Sequence, residues 1–239
     1  MIQTMSIGST MNHGKRYNEI EPVTTDIMHY LDAGNTDSYP GSGNTWSDLS
    51  VNGNDATFQG TTAPYDSADG GSFDFEGGTV STDYFNVPYA STLAPGEEWS
   101  VMYWINVAGT SAQYVTNLHA NDFAVLAGYQ ALATNIYMDG YRITETPNYA
   151  LDEWNCFGYT KGLNAASNNL HVYKNGIEQA EETLSYTVPV SSNSMRIGST
   201  GTSAAQFQGK LAVWMFYQRE LSGAEVLQNH NYYASRFGL

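Results

Sequence analysis

The sequence predicts one all-β sandwich with a short C-terminal helix and an extended N-terminal arm. Three observations carry that expectation. Short runs rich in β-branched and aromatic residues alternate with clusters of Gly, Asn, Asp, Ser and Thr. Two of these runs are apolar on both faces, the mark of central strands covered on both sides. A single helical pattern stands near the C-terminus, opened by a capping box.

Residues 1–26 are polar, contain three methionines and the basic pair Lys15 and Arg16, and sustain no period of 2 or 3.6; they read as an extended arm or a disordered tail. Strands are then expected over residues 27–31, 46–49, 55–58, 72–75, 100–107, 114–118, 123–127, 135–138, 141–144, 153–161, 170–174, 177–180, 195–199 and 210–218. In the 100–107 run, Val101, Tyr103, Ile105 and Val107 share one face, and Met102 and Trp104 the other. In 211–217, Leu211, Val213, Met215 and Tyr217 oppose Ala212, Trp214 and Phe216. Asn175-Gly176 tolerates the positive φ angles of a type I′ turn and so closes a two-residue hairpin. For the helix, Ser222 stands three residues before Glu225, Leu221 is placed as a staple, and Ala224, Val226, Leu227 and Tyr232 continue the pattern until Gly238. No fixed-period repeat or linker divides residues 27–239, a length suited to one all-β domain.

The chain carries 9 Lys+Arg against 24 Asp+Glu, a net charge of −15. Residues 17–141 hold 16 acids and no Lys or Arg, whereas from Arg142 onward 8 acids face 7 bases. A nucleic-acid binder needs a basic stripe to displace counterions, and none exists. Adsorption to anionic lipid is disfavoured for the same reason, and no apolar stretch approaches the ~20 residues of a membrane span. The first ten residues lack the basic and apolar regions of a signal peptide, so cytoplasmic synthesis is expected. Hydrophobic content of 41% and aromatic content of 13% suffice for a large core. Cys156, the only cysteine, lies in the apolar run 154–159 and reads as a small buried hydrophobe rather than a nucleophile.

A series of ordered landmarks runs through the chain. It begins with Leu31-Asp32-Ala33-Gly34-Asn35, Ser38-Tyr39-Pro40-Gly41-Ser42-Gly43 and Trp46-Ser47-Asp48-Leu49-Ser50 followed by Asn52-Gly53-Asn54. Gly71-Ser72-Phe73-Asp74-Phe75-Glu76-Gly77, Glu98-Trp99-Ser100-Val101 and Leu170-His171-Val172-Tyr173-Lys174-Asn175-Gly176 follow. Phe207-Gln208-Gly209-Lys210-Leu211 and Arg219-Glu220-Leu221-Ser222 lead to a terminal Arg236-Phe237-Gly238-Leu239. Over residues 22–239 this series resembles a concanavalin A-like jelly roll of the laminin-G/pentraxin type, and is similar to versions in structural proteins of tailed, often marine, bacteriophages. The resemblance implies two antiparallel sheets and a non-enzymatic virion protein, as capsid decoration or a fibre knob. Its partners would be phage capsid or tail proteins, copies of itself as a homo-oligomer, and host or environmental glycans. Its place would be the virion surface, with the arm and its Lys15–Arg16 pair as the docking segment. A purely structural cementing protein, or a carbohydrate-active enzyme of the same superfamily, are the alternatives.

Hydrolysis of glycosides needs two carboxylates about 5–9 Å apart. The glucanase branch shows E-x-D-x-E on one strand; here Ser72 replaces the first Glu, leaving Asp74 and Glu76 as the only candidates. No G-x-S-x-G or other serine-nucleophile context is present. No cofactor is required. A structural calcium ion, held by some relatives, lacks a complete ligand set: Asn121 and Asp122 match one half of a pentraxin-like site, but the 199–206 loop has no carboxylate. Asp32, Asp37, Asp48 and Asp55 are the acids available for a different ion site. Glycan contact needs an aromatic platform and fixed polar groups; Tyr141 and Tyr149 flank the polar segment 143–148, with Asn121 and Asp122 as polar partners. Tyr39 and Tyr65, in turn-rich segments, are further candidates; for all four tyrosines packing over a sandwich edge is the favoured alternative, and the five tryptophans are expected to pack in or beside strands.

Overall fold

The computed structural model describes residues 20–77, 83–88, 97–110, 113–119, 123–127, 135–138, 141–143, 149–185, 195–199 and 206–239. Its strands are β1 (Ile27–Asp32), β2 (Thr45–Trp46), β3 (Ala56–Phe58), β4 (Tyr65–Asp66), β5 (Ser72–Glu76), β6 (Phe85–Val87), β7 (Trp99–Val107) and β8 (Gln113–His119). They continue as β9 (Phe123–Ala127), β10 (Asn135–Met138), β11 (Tyr141–Ile143), β12 (Trp154–Lys161), β13 (Leu170–Lys174), β14 (Ile177–Glu182), β15 (Met195–Ile197) and β16 (Gln208–Tyr217). One helix, α1 (Gly223–Phe237), follows.

Among the described residues the strands form two eight-stranded antiparallel sheets. The first runs β14-β13-β12-β7-β16-β5-β4, and the second β11-β10-β9-β8-β15-β6-β3-β2. Strand β1 joins the first sheet end to end with β5 on one edge of β16: Phe73 to Glu76 pair with residues 211 to 208, and Ile27 to Asp32 pair with residues 217 to 213. The two segments meet at Ala212, whose carbonyl accepts from the Ala33 amide at 2.9 Å.

The sheets enclose one aromatic core, and α1 covers a second on the outer face of the first sheet. Strand β7 divides as its alternation predicts: Val101, Tyr103, Ile105 and Val107 face the inter-sheet core, and Met102 and Trp104 lie under the helix. Strand β16 departs from the expected alternation. A register shift between Leu211 and Val213 sends Leu211 inward with Trp214 and Phe216, and puts Ala212, Val213, Met215 and Tyr217 outward. This is a β-bulge, which inserts one residue and reverses the faces beyond it. Gly209 precedes it at φ 136°, where an added Cβ would stand 2.2 Å from the Asn106 carbonyl oxygen; only glycine lets β16 approach β7 so closely there.

The strand expected at 46–49 shortens to β2. Asp48 turns the chain: its carboxylate accepts from the amides of Tyr30, Ser50 and Asn54 and from the Ser50 hydroxyl, at 2.7 to 3.0 Å. Strands β4 and β6 escape sequence reading because two or three residues cannot establish a period. The domain also begins earlier than residue 27. The Val23 amide donates to Asn229 Oδ1 at 2.7 Å, and its carbonyl accepts from the Tyr217 hydroxyl at 2.8 Å. Residues 20–26 therefore belong to the folded body rather than to the arm, and Lys15 and Arg16 lie outside the described residues.

Helix α1 has the expected capping box, with Ser222 and Glu225 bonded reciprocally, and it ends at Gly238 in the left-handed conformation. Its C-terminal turn is held by a buried polar chain. Arg236 Nη1 donates to Asp32 Oδ1 at 2.6 Å, and the Tyr233 hydroxyl donates to Asp32 Oδ2 at 3.1 Å. Tyr30 in turn bonds the Tyr233 hydroxyl at 2.5 Å. Burial first, then the Asp32 charge, pushes the Tyr233 phenol far above its ordinary range, so it stays a donor at any physiological pH.

Candidate functional site

Strand β5 alternates: Phe73 and Phe75 enter the core, while Asp74 and Glu76 are exposed on the outer face of the sheet. The adjoining edge strand β4 pairs Tyr65 with Phe73 and Asp66 with Ser72. Pro64, Tyr65, Asp66, Asp74 and Glu76 thus line an open groove of about 380 Å³ at this edge. Register places Lys210 opposite Asp74 and Gln208 opposite Glu76.

Lys210 Nζ lies 2.6 Å from Asp66 Oδ2. That hydrogen bond is the main cause holding the Asp66 carboxyl below the usual carboxylate range and raising the Lys210 ammonium. Asp66 Oδ1 also accepts from the Ala68 amide at 2.9 Å. The Tyr65 ring is half-buried and packs 4.9 Å from Tyr39 and 6.0 Å from Phe73, centroid to centroid. Tyr39 is itself buried and donates its hydroxyl to the Gly43 carbonyl at 2.7 Å. Both tyrosines pack over the sandwich edge as expected, but Tyr65 keeps part of its ring at the groove. Chemically the groove offers three carboxylate acceptors and an aromatic edge, with the Lys210 ammonium engaged by Asp66 beside it, an inventory that orients a polyhydroxylated ligand.

The other sequence candidates are placed differently. Tyr149 is 4% exposed and packs edge-on against Phe157 at 6.5 Å in the inter-sheet core, so its ring is no surface platform. Tyr141 starts β11, where it pairs with Met138. Asn121 and Asp122 lie outside the described residues, as does residue 200–205 of the loop that would complete a pentraxin-like ion site. Of the alternative acids, Asp32 is engaged by Arg236 and Tyr233, Asp48 by four donors, and Asp55 by the Asp48 amide at 2.9 Å. No three of Asp32, Asp37, Asp48 and Asp55 converge on one point. In Asp32, Asp48 and Asp55 these oxygens hold the fold's own donors. Asp74 and Glu76 share a face as the sequence implies, successive same-face residues lying about 6.6 Å apart along a strand. Cys156 is buried beneath α1, and burial pushes its thiol well above the ordinary range, which fits a packing role. Tyr65 was weighed in the sequence, with edge packing favoured, whereas Lys210, which bonds Asp66 beside the groove, was missed. The signal for Lys210 was the strand register, which pairing alone reveals.

A family model described as Concanavalin A-like lectin/glucanases superfamily, of the laminin-G type, matches residues 76–227. A search of curated proteins finds no match. Among solved structures, the chain is similar to domain 4 of AbnA, a GH43 extracellular arabinanase from Geobacillus stearothermophilus, in complex with arabinotriose. The identity is 15% and the TM-score 0.64, over 86% of this chain and 98% of that one. The binding domain of Paraclostridial Mosquitocidal Protein 1 aligns at 14% identity and TM-score 0.64, over 88% of this chain and 53% of that one. Trypanosoma rangeli sialidase in complex with the inhibitor DANA aligns at 13% identity and TM-score 0.59, over 84% of this chain and 32% of that one. At these identities the likeness speaks to the fold. With the family match spanning more than half the sequence and two antiparallel sheets in place, the chain belongs to the concanavalin A-like lectin/glucanase superfamily.

Proposed function

We propose that this chain is a non-enzymatic carbohydrate-binding domain displayed on a tailed-phage particle, as capsid decoration or a fibre knob, in several copies. The observation that carries the glycan reading is the groove of Pro64, Tyr65, Asp66, Asp74 and Glu76, a shallow surface with an aromatic edge and polar groups, of which Asp66 is fixed by Lys210. The AbnA domain, of the same fold and nearly the same extent, is one whose structure holds arabinotriose. The virion reading rests on the ordered landmarks between residues 22 and 239. Shallow grooves bind sugars weakly, and repetition on a particle converts weak contacts into avidity.

Glycan-array binding of the multivalent protein tests the first part. Tyr65→Ala and Asp74→Asn should each lower the signal at least tenfold while the fold persists by circular dichroism. An unchanged signal in both variants would place the glycan elsewhere, and silence on the array combined with tight capsid binding would favour a structural cementing role.

The enzyme reading has its own observation, the same-face pair Asp74 and Glu76. Both are exposed on an open strand surface, whereas hydrolysis needs carboxylates converging across a bound sugar. Incubation with a panel of β-glucans should release no reducing sugar; release that is abolished by Glu76→Gln would overturn the non-enzymatic assignment.

A further inference from the structure

We infer that the chain carries a transition-metal site, of zinc-like chemistry, built from His171, Glu178 and Glu181 at the β13–β14 edge, with Glu220 orienting the imidazole. The site stands at the opposite edge of the first sheet from the groove and is independent of the carbohydrate reading.

Its construction begins with a strand irregularity. His171 pairs with Glu181 and Val172 with Ala180, but Tyr173 pairs with Glu178. In a regular strand, residues 178 and 181 are three apart and point to opposite faces. The extra residue in β14 reverses the alternation between them, so both carboxylates share the outer face with His171 and Tyr173. Bulges re-aim side chains in this way, and they recur beside functional sites.

One imidazole nitrogen and one oxygen from each of the two glutamates lie within 4.8 Å of one another. Ligand atoms of one tetrahedral zinc ion stand about 3.4 Å apart, so the exposed carboxylates reach it with small rotamer changes. His171 Nδ1 is 2.7 Å from Glu178 Oε1, and Nε2 is 3.6 Å from Glu220 Oε1 on the β16–α1 connection. Metal-bound histidines hand their second ring N–H to a carboxylate, which fixes ring and tautomer. Here Glu220 stands on that side at 3.6 Å, a small rotamer change from hydrogen-bond distance. A cation entering between Nδ1 and Glu178 displaces the proton they share and leaves the N–H on Nε2, facing Glu220. Glu181 is steadied by Asn168, whose Nδ2 donates to Oε1 at 2.9 Å.

The surrounding charges support a cation. The hollow at the site is lined by His171, Tyr173, Glu178, Glu220 and Glu225 together with the residues that open α1. Glu225 is outside the ligand set, since it pairs with Arg219 and caps the helix. Lys161 faces Glu220 but gives its ammonium to the Gly162 carbonyl at 2.5 Å and Asn164 Oδ1 at 2.9 Å. The imidazole selects zinc-like ions over calcium, which prefers six or more oxygens.

Calorimetric titration of the full chain with Zn²⁺ in 150 mM salt tests this. One site per chain is expected, with His171→Asn and Glu181→Gln weakening it at least tenfold and Glu220→Gln about tenfold. Zinc should raise the thermal midpoint and EDTA should reverse the rise; Ca²⁺ at the same concentration should do neither. In ¹⁵N-labelled protein, zinc should shift the His171 Nδ1 resonance as a ligand and leave Nε2 protonated. The inference fails if Zn²⁺ does not bind, if His171→Asn binds it unchanged, if Ca²⁺ competes equally, or if Nε2 proves to be the ligand. Circular dichroism of each folded variant separates loss of the site from loss of the fold.

Discussion

At the residue scale, the buried polar groups decide most. His29 is fully buried, packs 5.7 Å from Trp214, and makes no hydrogen bond of normal geometry through either ring nitrogen. Burial lowers its pKa to about 4, against the opposing pull of the Asp48 charge and the Asn54 backbone. The unfolded chain takes up this proton near 6.5 and the folded chain only near 4, so stability is lost as pH falls between those values. The difference corresponds to about 3 kcal/mol. Denaturant titrations at pH 7, 5.5 and 4 should show that loss, and His29→Phe should flatten the slope; parallel slopes would remove His29 as the source. Arg236→Met should cost about 3 kcal/mol in the same assay, because it strips the buried Asp32 carboxylate of its cation. Sequence showed His29 only as a member of a strand and Asp32 only as an acid available for an ion site. Their chemistry comes from Arg236, Trp214 and Asp48, and for the first two of these the chain separation is about two hundred residues.

At the element scale, local rules carried furthest where the signal is contiguous. The Asn175-Gly176 turn has φ of 51° and 76°, as its type requires. Gly176→Ala would set a Cβ in left-handed backbone and 2.9 Å from Leu227 Cδ1, so a loss of about 1–2 kcal/mol in unfolding free energy is expected. The helix start was equally plain in Ser222 and Glu225. Arg219 adds what sequence did not announce: its guanidinium grips Glu225 at 2.7 and 3.0 Å and is the main cause holding that carboxyl near about 2. This contribution persists above the ordinary glutamate value and disappears as pH falls through about 2. Ser222→Ala should cost about 1 kcal/mol by thermal or denaturant unfolding. The faces of β16 were misread because a bulge at Ala212 is a pairing event; nothing in Leu211-Ala212-Val213 by itself departs from alternation.

At the scale of the whole molecule, every acid but Asp32 among the described residues reaches the surface. The groove carboxylates Asp74 and Glu76 and the β14 acids Glu178 and Glu181 are exposed, and a surface of one charge sign discourages self-association. The folded body starts before Val23, so a truncation meant to test the proposed docking arm should remove residues 1–19 and no more. That variant should keep its thermal midpoint while losing attachment to particles in a co-sedimentation assay; retained attachment would exclude the arm as anchor. Composition, punctuation and strand alternation by themselves determined an all-β sandwich, its central strand β7, its Asn-Gly hairpin and its capped helix, because each is encoded by neighbours along the chain. The tertiary structure alone decided which edge carries a groove, that Tyr149 is core, and that His171 meets two glutamates on one face. Those outcomes depend on strand order, register and bulges, and these are fixed by packing between segments distant in sequence.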